Sequence, residues 1–197
     1  MPSDLDRNKE EEKYFQAKET ERREAVRLKL EKAAGEAREQ REMAESLQTD
    51  DEALVQRLRD MHFDKDTVRV LDVLPLVHVA WADGSVTTRQ RAAVLDVLRE
   101  RGIEGHSEAF LLIESLLEKR PTDTFLEETL ELLHDLLGDS SRTNDVVDLC
   151  VRVADASGGF FGLGDRISDK ERALMERIVD RLGDQARDAF VKRLASR

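Results

Sequence analysis

The sequence predicts an all-α protein, a bundle of about seven to eight helices preceded by one long charged helix. Three observations predict this class. Signals of the form Ser/Thr-x-x-Glu/Gln, which cap the first turn of a helix, precede several apolar stretches. No segment shows the sustained alternation of apolar and polar residues that is typical of a strand. Apolar residues recur at helical spacing, most clearly in the stripe Leu126, Leu130, Leu133 and Leu137.

Residues 1–52 form the first predicted domain, a charged helical arm. They contain 16 acidic and 11 basic residues, and strong helix formers predominate. Because most of its seam residues are alanine, two interpretations stay open: a solvated helix that lies loosely against the body or frays, and a weak coiled coil that oligomerises or captures a partner. The seam follows heptad spacing through Val26, Leu30, Ala33, Ala37, Gln40, Ala44 and Leu47.

Residues 53–197 form the second predicted domain and contain the apolar residues of a core. Residues 68–82 are apolar on nearly every face, which predicts a buried central helix. Pro75 lies inside this stretch and marks either a bend or the true start of that helix. Four capping signals predict where other helices begin: Thr49-x-x-Glu52, Thr87-x-x-Gln90, Thr124-x-x-Glu127 and Ser168-x-x-Glu171.

Glycine and proline separate the later helices. Gly102 ends the helix that Thr87 opens, and Gly138 ends the helix that carries the leucine stripe. Pro121 follows a further helix, and Gly183 precedes a short last one. The remaining predicted helices span residues 105–119, 143–156 and 168–182.

Two segments of the predicted bundle resemble each other. Residues 77–84 read VHVAWADG, and residues 151–158 read VRVADASG. The capped helix starts that follow them also match, with seven additional residues in the second copy. The second domain therefore contains two related units, about 68–104 and 143–182, which we expect to pack about a pseudo-twofold axis.

An apolar helix that ends in Ala-Asp-Gly and leads into a capped helix resembles the tellurite-resistance TerB-like domain family. The resemblance is sharpest at residues 76–91 and 150–172. That family is an all-α bundle of bacterial stress proteins with an acidic cluster implicated in divalent-metal binding. The resemblance implies a tandem, divergent member with a non-enzymatic role in binding or assembly. It matches Asp83 to the family's aspartate, whereas Gln90 stands where a glutamate is common.

Four carboxylates are candidate metal ligands: Asp83, Asp155, Asp165 and Glu171. A weak Ca²⁺ or Mg²⁺ site needs several such oxygen ligands to converge. The structural alternative assigns Glu171 to the third position of its own helix cap, where Gln90 fills the equivalent place. Both interpretations stay open, and no other cofactor is predicted.

Five apolar side chains are candidate contacts for a protein partner or a second copy: Tyr14, Phe15, Phe160, Phe161 and Leu163. The first two lie in the charged arm, and the others lie in the loop 158–164. Each group either packs on the protein's own bundle or docks a partner, and for the loop a membrane surface is a further candidate.

Composition and charge exclude several classes of function. A net charge of −11 argues against nucleic acid as the main partner. No run approaches the roughly 18 apolar residues of a membrane span, and the first eight residues lack a secretory core. With Cys150 as the single cysteine, we expect a cytoplasmic protein without disulfides.

The catalytic motifs that a sequence can reveal are missing. The chain contains no nucleophile elbow, no Walker loop and no dinucleotide fingerprint, so we expect a protein that is not an enzyme. Cys150 is predicted to be a buried packing residue, and His78 a buried residue with a hydrogen bond.

Overall fold

A computed structural model describes residues 4–138, 141–156 and 167–195, with side chains from Lys13 onward except at Ser141. These residues form nine α-helices and one 3-10 helix and contain no strand, which confirms the predicted all-α class. Eight helices follow the long first one. The α-helices are α1 (Asp4–Leu47), α2 (Glu52–Asp60), α3 (Leu74–Ala80), α4 (Thr88–Glu100), α5 (Glu108–Glu118), α6 (Asp123–Leu137), α7 (Ser141–Ala156), α8 (Asp169–Leu182) and α9 (Asp184–Ala195), and the 3-10 helix is Thr67–Val73.

The chain divides into two compact units, Met1–Glu42 and Met43–Arg197. In the first unit, every described side chain from Lys13 to Glu39 is exposed. Its helix is stabilised along the surface by ion pairs between residues four apart, each worth a few tenths of a kcal/mol. The pairs are Glu19–Arg23, Arg27–Glu31, Lys32–Glu36 and Arg38–Glu42.

The second unit contains a continuous apolar core, to which the last turn of α1 contributes Met43 and Leu47. At its centre lies α3, in which all seven residues are buried. The predicted central helix is therefore confirmed in its burial but is shorter than expected, because a 3-10 helix precedes it. Pro75 lies in the first turn of α3, where its missing N–H leaves no hydrogen bond broken, so it marks the start of the helix.

The packing of the second unit brings the two predicted repeats together. Helix α3 contacts each of the helices from α4 to α8, and α7 packs against both α3 and α4. Helix α9 lies against α7 and α8. None of the helices in the described ranges is both long and apolar enough to cross a membrane.

Two of the four predicted capping signals operate as predicted, at Thr87 and Ser168. The other two are wrong. Asp51 caps α2 by accepting hydrogen bonds from two backbone N–H groups at 2.9 and 3.0 Å, and Thr122 caps α6 by accepting one at 3.1 Å. In both cases a second good cap stands within two residues of the predicted one, and the spacing of the signal does not decide between them.

Candidate functional site

Two capped helix starts, those of α4 and α8, meet inside the second unit. At α4, the Thr87 hydroxyl accepts the backbone N–H of Gln90 at 3.2 Å, and the Gln90 side-chain oxygen accepts the backbone N–H of Thr87 at 3.0 Å. At α8, the Ser168 hydroxyl accepts the N–H of Glu171 at 3.1 Å, and the Glu171 carboxylate accepts the N–H of Ser168 at 2.8 Å. Each helix thus has a complete capping box.

The two caps are joined by a buried hydrogen bond. Gln90 Nε2 donates to Glu171 Oε1 at 3.0 Å, and the two residues are only 2% and 0% exposed. They lie 81 residues apart and occupy equivalent positions of the predicted repeat. We name the group of Asp83, Thr87, Gln90, Ser168 and Glu171 the polar centre.

Asp83 joins the polar centre from the exposed side. Its Oδ1 accepts a hydrogen bond of 3.1 Å from the Ser168 hydroxyl, and the Glu171 carboxylate accepts the backbone N–H of the same serine. Asp155 is half-buried in the last turn of α7, and Asp165 lies outside the described residues. Among the candidate ligands that the structure describes, Asp83 and Glu171 thus hydrogen-bond to one serine. Because both oxygens of Glu171 accept hydrogen bonds from within the protein, the geometry is that of a cap.

A second acidic group was not anticipated from the sequence. Carboxylate oxygens of Asp64, Asp66 and Glu108 lie within 4.8 Å of one another on the surface. Desolvation raises the pKa of Asp64, but hydrogen bonds from Thr67 and Asp66 outweigh it and hold that pKa below its usual value. The pKa of Glu108 is raised by its hydrogen bond to Asp64 and by the charge of that carboxylate. Asp64-x-Asp66 is visible in the sequence, but nothing in the sequence places Glu108 beside it.

The candidate partner contacts in the arm are open to solvent. Tyr14 is 57% and Phe15 67% exposed, and their rings contact each other edge to face at 6.1 Å. The ammonium of Lys18 lies 5.1 Å from the centre of the Tyr14 ring. The three candidate contacts in the glycine-rich loop, Phe160, Phe161 and Leu163, lie outside the described residues.

His78 lies in α3 and is 5% exposed, which confirms its predicted burial. The expected hydrogen bond is missing at one nitrogen, since Nε2 is buried and has no hydrogen-bond partner among the described residues. Burial lowers the pKa of His78 to about 4, the nearby Asp123 acts in the opposite direction, and Arg120 and Arg177 lower it further. The imidazole is therefore neutral at physiological pH.

Cys150 is expected to resist thiol reagents in the folded protein. It is 2% exposed, and burial raises the pKa of its thiol to about 12, so the reactive thiolate is scarce at pH 8. We expect its labelling by a chromogenic disulfide to be at least about a hundredfold slower in buffer than in denaturant, measured by absorbance. Fast, complete labelling of the native protein would contradict the packing role.

Comparisons with models of protein families, with curated proteins and with solved structures found no match to this chain.

Proposed function

We propose that this protein is a non-enzymatic binding and assembly protein whose arm carries the binding surface. The observation that supports this most directly is the exposure of the arm's large apolar residues. Val26 and Leu30, one helical turn apart on the heptad seam, are 52% and 66% exposed. Ala33 and Ala37 continue the same face and are also exposed. A seam of this kind is stabilised when a second helix covers it.

The occupant that we propose for this seam is the arm of a second copy of the chain. An identical helix offers an identical seam, which a twofold dimer pairs with itself. Charge favours the same choice: residues 13–42 contain nine basic and seven acidic residues, whereas the whole chain carries −11. Net charge therefore opposes the pairing of this part of the arm only weakly. Tyr14 and Phe15 remain candidate contacts for a different partner.

The resemblance to TerB-like domains supports a binding role and is the sole basis for proposing a stress-linked one. The same resemblance carries the proposal of a weak divalent-cation site. The side-chain oxygens of Asp83 and Glu171 both accept hydrogen bonds from Ser168, which favours that site, whereas the hydrogen bonds to both Glu171 oxygens oppose it. A cytoplasmic location stays a prediction.

Sedimentation equilibrium of the full chain tests the arm proposal. Between about 1 and 100 µM we expect the native protein to approach twice its 22.5 kDa chain mass. Val26→Asp with Leu30→Asp is expected to give a monomer, because two charges then lie on the seam. The body should keep its melting temperature, since no side chain described between Lys13 and Glu39 is buried.

Leu28→Asp is the matched control. Leu28 is 60% exposed and lies about 200° around the helix from both seam residues, so it falls on the opposite face. The control should remain dimeric. A native chain that stays monomeric throughout contradicts pairing between copies, and a control that dissociates like the seam variant shows that the seam is not specific.

A further inference from the structure

A small pocket of the second unit is lined by three arginines: Arg69, Arg101 and Arg142. It has a volume of about 250 Å³. It lies where the last turn of α1, the 3-10 helix, the end of α4 and the start of α7 meet. We name it the arginine pocket.

The arginine pocket is positively charged within an acidic protein. Asp72 is the single acidic residue described in its lining, and it forms an ion pair with Arg101. Within the described parts of the chain, the guanidinium groups of Arg69 and Arg142 have no ion pair or hydrogen bond. The lining thus has an excess of two positive charges, although the chain carries −11.

Helix stability does not account for these two arginines. Arg142 lies in the first turn of α7, where the helix dipole favours acidic side chains and disfavours basic ones. Arg69 is an exposed residue of the 3-10 helix, between the buried Val68 and Val70. By contrast, Arg91 and Arg177 elsewhere in the second unit pair with carboxylates at 3.1 and 2.5 Å. The pocket therefore concentrates cations that the fold leaves unneutralised.

We propose that the arginine pocket binds a small phosphomonoester through its dianionic phosphate group. Guanidinium groups present paired N–H donors that match the oxygens of a phosphate. Two uncompensated arginines balance the two negative charges of this group. A carboxylate ligand carries one negative charge and would leave one arginine unbalanced. The Ser46 hydroxyl supplies a further donor, and the buried side chains of Leu47 and Leu71 offer an apolar surface to a short organic substituent.

Calorimetry and thermal shift on the full chain test this proposal with defined probes. Inorganic phosphate, ethyl phosphate and acetate are titrated at constant ionic strength, with chloride as the balancing anion. We expect saturable binding of both phosphates, tighter for the ester, and at least about tenfold weaker binding of acetate. Tighter binding of inorganic phosphate than of the ester would overturn the choice of a monoester. Equal binding of acetate, or no saturable heat with any probe, would overturn the pocket as a phosphate site.

Three substitutions locate the binding. Arg69→Gln and Arg142→Gln are each expected to weaken phosphate binding by about tenfold or more, because each removes a charged donor. Arg89→Gln is the matched control, since Arg89 is exposed in the first turn of α4 and lies outside the pocket. A control that weakens binding as much as the pocket variants overturns the assignment.

A ligand-free measurement separates binding from a structural role. Removing the positive charge of Arg142 from the start of α7 should leave the melting temperature of the free protein unchanged or slightly higher. A marked fall in that temperature, with unchanged phosphate affinity, would show that Arg142 serves the fold instead.

Discussion

Replacing Gln90 with glutamate is expected to lower the free energy of unfolding by about 3 kcal/mol at pH 7. In the native protein the Gln90 amide donates to the Glu171 carboxylate across 3.0 Å, and both side chains are buried. The variant brings two carboxylates to that distance, where they cannot both be charged. The folded state therefore takes up a proton that the unfolded state releases, and the loss of stability is smaller at pH 5 than at pH 7.

Replacing Glu171 with glutamine is expected to cost about 2 kcal/mol for the opposite reason. Each residue already uses one oxygen to accept a backbone N–H of its own cap, from Thr87 and Ser168 respectively. The remaining atom faces the partner and is a donor in Gln90 and an acceptor in Glu171. Two glutamines would bring two N–H donors together, and one of them would lose its partner.

The exchange of both residues provides the decisive comparison. Gln90→Glu combined with Glu171→Gln restores one donor and one acceptor, so we expect a coupling energy of about 3 kcal/mol between the two substitutions. Urea denaturation of the native protein, both single variants and the double variant measures it. Glu128→Gln, at an exposed position of α6, controls for the loss of a charge. Losses that simply add would contradict the complementarity of the pair.

The same variants address the divalent cation. If Glu171 is a ligand, Ca²⁺ raises the melting temperature of the chelator-treated native protein, and Glu171→Gln abolishes the rise. If Glu171 is only a cap, Ca²⁺ has the same effect on the melting temperatures of the native protein and Glu171→Gln. A Ca²⁺ effect that persists in Glu171→Gln and disappears in Asp64→Asn would instead assign the cation to the surface group that contains Asp64.

The features that the sequence predicted correctly are local ones. The capping boxes at Thr87 and Ser168 and the burial of residues around Pro75 each depend on residues within one or two turns of each other. The capping signal at Thr49 failed because Asp51, two residues later, is an equally good cap and takes its place. Local patterns thus predict that a helix begins, with an error of one or two residues in the position of its first residue.

The features that the sequence could not predict join distant segments. The Gln90–Glu171 hydrogen bond links positions 81 residues apart, and its donor and acceptor are distinguished only once the two caps face each other. The arginine pocket draws its charges from the 3-10 helix, the end of α4 and the start of α7. Its three arginines belong to no recognisable motif. The packing of the helices brings them together, and the negative net charge of the whole sequence gives no sign of this local positive charge.

Acidification is expected to destabilise the protein through His78. Its pKa of about 4 in the folded state lies below the value of about 6.5 that an unfolded chain has, because burial penalises the charged imidazole. The unfolded state therefore binds more protons between these two values. The contribution of the neutral His78 to the free energy of unfolding is fully present above pH 6.5 and is lost as the pH falls. Below about pH 4 it no longer changes. At pH 5 the loss is about 2 kcal/mol.

Carboxylates also titrate near the lower end of this range, so the test is a difference between variants. His78→Leu removes the buried imidazole, and His106→Leu removes an exposed one as the matched control. Urea denaturation at pH 7 and pH 5 should show that His78→Leu loses about 2 kcal/mol less on acidification than the native protein, whereas His106→Leu follows the native protein. Equal losses in all three would mean that the α3 imidazole gains its proton without cost. The structure opposes that outcome, because Nε2 of His78 is buried beside the ring of Phe125 and has no hydrogen-bond partner among the described residues.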